Sequence, residues 1–176
     1  MKSVLISIKP QWGEKIASGE KTIEVHKSAP KEVPFKAYIY CTKSDKYLLD
    51  RDSDGSMFCW DKKAHHYPFK YEKDHEEIFN GKVIGEFICD KVDEYKYDYG
   101  CGYYVGDGVD IDDDTILETA IDREDINIYA KGKTLYGWHI SDLKIYDKPK
   151  ELSEFKKLYR WFDNKPVESW TELLHL

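Results

Sequence analysis

Apolar residues in this chain come in short β-branched runs, and that spacing limits what it can build. Runs at 3–8, 21–26, 36–42, 82–92 and 135–146 are strand-length and are separated by turn residues, so they read as five strands. No stretch sustains a long helical period. Pro10 and Gly19 bracket one short helix, since proline suits the first turn and glycine the end. Thr115 to Ile128 holds one or two more short helices. Residues 43–80 are polar, charged and without clean periodicity, which predicts a surface insertion carrying about one helical turn. Residues 95–114 read as a Tyr/Gly/Asp-rich loop, and 148–176 as a C-terminal tail packed down by Trp161 and Trp170. The pattern predicts an α+β, mainly-β single domain over 1–176: a small β-barrel with short peripheral helices.

Charge narrows the partners. Lys plus Arg total 27 against 34 Asp plus Glu, a net −7. Coating of DNA or RNA by counterion release needs a basic surface. Any nucleic-acid binding here therefore belongs to a local pocket with few phosphate contacts and a shallow salt dependence. Aromatics make up 15% of the residues, enough apolar surface to fold and unlike a disordered chain. No apolar run reaches bilayer-spanning length, and Val4–Ile8 is too short for a signal-peptide core, so the expected location is cytoplasmic. Cys41, Cys59, Cys89 and Cys101 form no C-x-x-C pair and read as reduced thiols.

Four motifs invite chemistry. Asp50, Asp52, Asp54, Gly55 and Asp61 follow a calcium-loop template but lack its flanking helices and terminal Glu, which favours a solvated acidic turn. His65, His66 and His75 near Cys59 lack a converging fourth ligand, so the expectation is no metal and no cofactor. Gly100, Gly102 and Gly106 form a flexible loop rather than a phosphate cradle. The fourth motif is Gly19-Glu-Lys-Thr-Ile-Glu-Val-His26. As a strand it places Thr22, Glu24 and His26 on one face and Ile23 and Val25 on the other. Lys21 is within reach of Glu24 and Lys9, and Glu86 offers a second carboxylate from another strand. Lys, Glu and His gathered in a barrel mouth can bind a base edge or activate water.

These residues carry a resemblance. Ser7-Ile-Lys-Pro10, Gly19-Glu-Lys-Thr-x-Glu24, Ile39-Tyr-Cys-Thr-Lys43, Val83-Ile-Gly-Glu-Phe87, Gly137-Trp-His-Ile-Ser141 and Ile145 to Leu152 resemble, in order and spacing, the ASCH family of the PUA-like superfamily. The ending Lys165-Pro-Val-Glu-Ser-Trp170 is similar to that of phage-type members. The resemblance implies a PUA-like barrel with a cleft beside the first helix for RNA or a nucleotide-like ligand. It also implies that hydrolases exist among relatives: one branch deacylates acetylcytidine with a Lys, a Thr and a Glu, and another cleaves RNA. On that pattern Lys21 takes the catalytic Lys position and Glu86 the Glu. Glu24 stands where the Thr nucleophile would be, and His26 where the family has Arg.

The leading expectation is therefore binding of a nucleotide, modified nucleoside or single-stranded RNA. Lys9, Lys21 and His26 would contact phosphate or base, Glu24 would accept from an amine, and Tyr40 or Trp170 would stack. The alternatives are a hydrolase on a nucleoside or RNA, with Glu24 or Glu86 as base and Lys21 stabilising charge, and a phage or mobile-element accessory protein working through protein contacts.

Overall fold

The structure is a computed structural model and describes residues 1–63, 79–106 and 118–155, and the backbone of 171–173. In chain order the elements are β1 (Lys2–Ile8), α1 (Pro10–Ala17), β2 (Ile23–His26), β3 (Phe35–Cys41), β4 (Tyr47–Arg51), β5 (Met57–Asp61), β6 (Lys82–Cys89), β7 (Val92–Asp98), β8 (Tyr103–Val105), α2 (Arg123–Ala130), β9 (Leu135–His139), β10 (Ser141–Glu151), α3 (Leu152–Phe155) and β11 (Thr171–Leu173). They form a five-stranded sheet ordered β10-β6-β3-β1-β11, a four-stranded sheet ordered β2-β9-β7-β8, and the hairpin β4-β5. β1 and β3 pair in parallel, and the connection between them carries α1 and β2.

The mainly-β, α+β class agrees with the sequence pattern, but among the described residues no sheet closes into a barrel. Instead two long strands serve both sheets. β6 continues through Asp90 and Lys91 into β7, and β9 continues through Ile140 into β10. The corner is tied by the His139 N–H donating to Lys91 O at 3.1 Å, and Asp142 beyond it takes φ 48°. Strands that bend and switch sheets let two sheets pack at a steep angle over one core. Hence the runs at 82–92 and 135–146 each break once and extend further, to Asp98 and Glu151.

That core holds Ile6, Ile8, Ile16, Ile39, Ile84, Phe87 and Trp138, all at most 2% exposed. α1 starts as the sequence indicates, with Pro10 at its first position and the Lys9 carbonyl accepting from Trp12 and Gly13 N–H at 3.0 Å. Its buried face is Pro10, Gly13 and Ile16, and Gly13 lets it approach the hairpin: a Cβ there would lie 3.2 Å from Leu49 Cδ2. The helix thus rests on β4 and β5, so the described part of 43–80 contributes a hairpin packed against α1, while residues 64–78 lie outside the described residues. Leu48, Leu49 and Phe79 are buried, and Leu49 and Phe79 join Ile16 of α1 in the main core. The 95–114 region likewise contains the β7–β8 hairpin, turned by Gly102 at φ 79°. Tail residues 148–151 belong to β10, and β11 pairs antiparallel with β1.

Cys41 and Cys89 are buried, Cys59 is half-buried and Cys101 exposed, all as free thiols. Burial pushes the Cys41 and Cys89 thiols up to about 12. The acidic 50–61 segment is the β4–β5 hairpin. Its turn uses Asp52 Oδ1 to accept from Ser53 N–H and Asp54 Oδ1 to accept from Ser56 N–H and Oγ. Among the described residues no group of three His, Cys, Asp or Glu is placed to hold a metal ion. His65, His66 and His75 lie outside the described residues. No helix among the described residues is long and apolar enough to cross a membrane.

Candidate functional site

Where α1 ends and β2 begins, Gly19 at φ 79° turns the chain, and the Lys21 N–H closes the turn onto Lys15 O at 2.9 Å. That turn drives Lys21 inward. Its side chain is 1% exposed, an unusual position for a lysine. Nζ donates to Ile23 O at 2.8 Å and to Thr119 O at 2.6 Å, and it forms an ion pair with Glu24 Oε2 at 3.3 Å. Nζ also sits 5.7 Å from the centroid of the Trp12 ring. The three ammonium hydrogens are thus matched by three oxygens, as burial of a charge demands. Desolvation still lowers the proton affinity of Lys21 from its ordinary value, and the Glu24 charge only partly restores it.

β2 pairs antiparallel with β9, setting Glu24 opposite Trp138 and His26 opposite Tyr136. Glu24 is 13% exposed, and its Oε2 is buried with the Lys21 ion pair but no hydrogen bond. The His26 ring lies 3.9 Å from the Trp138 ring, which is edge-on to Phe35 at 4.9 Å. His26 Nε2 is buried without a hydrogen-bond partner, and so is Gln11 Oε1, one residue before Trp12 in α1. Buried polar atoms are nearly always paired, so the unpartnered His26 Nε2 beside the buried Lys21–Glu24 pair is what sets this centre apart.

Burial pushes the His26 imidazole down to about 4, with Glu24 opposing weakly, so the ring is neutral at pH 7. The unfolded chain, with its histidine at 6.5, takes the proton first as pH falls. Stability is therefore intact above about pH 6.5 and is lost on acidification towards pH 4, by up to about 3 kcal/mol from this residue. In His26→Phe, which keeps a ring on Trp138, denaturant melts between pH 7 and pH 4 will show a smaller loss than wild type. Equal losses in both proteins would refute the assignment.

The structure does not bring all the expected site residues together. Lys21, Glu24 and His26 form one centre. Lys9 is exposed at the start of α1, with no side-chain partner among the described residues. Glu86 and Tyr40 face the other way. On β3, Phe35, Ala37, Ile39 and Cys41 enter the Trp138 core, leaving Lys36, Tyr38 and Tyr40 on the opposite face. There Tyr40 packs with Leu5, Val83, Tyr146 and Phe155. Glu86 accepts from Tyr146 Oη at 2.6 Å and from Lys36 Nζ at 2.9 Å. Burial alone would raise its carboxyl, but these two donors outweigh that and hold it below the usual range. Trp170 lies outside the described residues. Sequence reading did not single out Thr119, whose carbonyl holds Lys21 from 98 positions away, nor Trp12 as the ring beside Lys21. A backbone acceptor leaves no residue-type signal.

No family model and no curated protein matches the sequence. Known structures do match in three dimensions. The crystal structure of ASCH from Zymomonas mobilis is 18% identical, with a TM-score of 0.57 over 99% of this chain and 88% of that one. A mutant of the same protein with a tyrosine replaced by phenylalanine gives 16% and 0.58 over 99% and 91%. Another, with a serine replaced by alanine, gives 16% and 0.58 over 99% and 89%. The chain has the ASCH fold.

Proposed function

We propose that this ASCH-fold chain binds a nucleoside, modified nucleoside or single-stranded RNA base at the Lys21–Glu24–His26 centre. The observation that carries the reading is His26 Nε2, buried without a hydrogen-bond partner next to a Lys21–Glu24 pair whose ammonium is already committed to three oxygens. With Lys21 occupied and His26 neutral, the centre offers acceptors rather than positive charge. An acceptor set of this kind suits the N–H and exocyclic amine donors of a base edge better than a phosphate. The Trp12 ring supplies an aromatic surface nearby. The net charge of −7 points the same way, since base recognition needs no counterion release.

A second reading, hydrolysis of a nucleoside or RNA, is supported by the lowered proton affinity of Lys21, a property of lysines that work as bases. A PUA-like barrel is compatible with either reading.

Calorimetric titration with the four ribonucleosides and a short oligoribonucleotide tests this. The expected result is binding that changes little between low and high salt and weakens at least tenfold in Glu24→Gln. A folded Glu24→Gln that binds as tightly as wild type would overturn the reading. Multiple-turnover product formation would instead select the hydrolase.

A further inference from the structure

A second cleft, of about 730 Å³, opens between β7, β9 and the segment before β3, and is lined by Pro30, Val33, Asp93, Tyr136 and His139 among others. Its volume is in the range that holds a small ligand. We propose that it is a site for a small organic cation, an amine or a guanidinium, with His139 Nδ1 as a hydrogen-bond acceptor.

The imidazole is fixed first. His139 Nε2 lies 2.6 Å from Asp93 Oδ2, and Lys91 Nζ lies 3.1 Å from Asp93 Oδ1. Burial would raise the Asp93 carboxyl, but hydrogen bonds from His139 and Lys91 hold it below the usual range, so it is ionised and can only accept. In the neutral ring Nε2 must then carry the proton, which leaves the Nδ1 lone pair without a partner among the described residues. Both side chains remain about a quarter to a third exposed, 26% and 31%, so the pair forms a wall of the cleft rather than part of a sealed core.

Charge then sets the class of ligand. Around the cleft, Glu32, Asp93, Glu94 and Glu118 stand against Lys91 and the His139 imidazole. The Lys2–Glu32 and Lys96–Glu94 contacts are exposed pairs of the kind that rearrange at little cost. Glu118 makes no ion pair with the described residues, and its carbonyl is anchored by the Thr22 N–H at 2.8 Å. A phosphate-bearing ligand would be repelled. A cation with N–H donors finds Nδ1 and carboxylates to accept them, and the Tyr136 ring can face its charge. This chemistry is opposite in sign to phosphate recognition and shares no side chain with the Lys21 centre, so it stands apart from the function proposed above.

Agmatine and spermidine are the probes, one presenting a guanidinium and the other amines, with inorganic phosphate as the contrast. Titrated into the full-length protein at pH 8 and followed by NMR, one or both will shift the His139 imidazole resonances, and phosphate will not. Glu118→Gln, which leaves the Asp93–His139 pair intact, will weaken it severalfold, and Asp93→Asn will weaken it further. Undisturbed His139 signals at millimolar agmatine and spermidine would overturn the proposal. So would binding that Glu118→Gln and Asp93→Asn both leave unchanged while the proteins stay folded.

Discussion

Replacing Lys21 with methionine will cost about 3–5 kcal/mol of folding free energy, measured by urea unfolding. Methionine nearly matches the volume, so packing is not the reason. The variant leaves the Ile23 and Thr119 carbonyls without their donor and Glu24 as a mostly buried carboxylate without its cation. Stranded acceptors and an uncompensated charge are among the most damaging changes a core can suffer. The double variant Lys21→Met with Glu24→Leu will recover a substantial part of the loss, because it removes the stranded charge as well. A single variant within about 1 kcal/mol of wild type would contradict the description of Lys21 as a buried, fully engaged ammonium. One practical result is that loss of activity in a Lys21 variant says little about its chemistry. Glu24→Gln, which keeps shape and acceptor, is the more informative probe of function.

Gly85→Ala will be destabilising through sterics alone. Gly85 lies in β6 opposite Ile145 of β10 on one side and Ile39 of β3 on the other. A Cβ there would fall 2.6 Å from Lys144 O and 3.2 Å from Ile145 Cα, both backbone atoms that no rotamer change can move. The β6–β10 ladder must part, and overpacking at a well-packed site costs roughly 1–3 kcal/mol and sometimes more. Gly13→Ala makes a fair comparison, because its nearest neighbour is the Leu49 side chain at 3.2 Å, which can yield. Thermal melts should show Gly85→Ala well below Gly13→Ala. The reverse order would show that the ladder adjusts more readily than its geometry implies.

Local signals were the legible ones. Pro10, Gly19 and the alternation from Thr22 to His26 act within a few residues, so the first helix and β2 could be placed from sequence, along with the pairing of Lys21 and Glu24. The breaks at Asp90–Lys91 and Ile140 were not legible, because that corner is held by a hydrogen bond between strands 48 positions apart. The β4–β5 hairpin was obscured because its aspartates suit an Asx-type turn and a cation loop equally well. Glu86 was grouped with Glu24 because alternation assigns a residue to a face but does not say which sheet face meets which core. A register shift in β3–β6 between Ile39 and Tyr40 complicates that assignment further.

The two strands that pass from one sheet into the other have a consequence for how the molecule comes apart. A one-residue slip of 82–98 against 135–151 would turn Phe87 outward, bring Glu86 into the apolar core and, in the same movement, break the register of β7 with β9 in the other sheet. Neither sheet can therefore open alone without pulling on the other's ladder. Such coupling makes the two sheets a single cooperative unit, whose central amides exchange with solvent only through global unfolding.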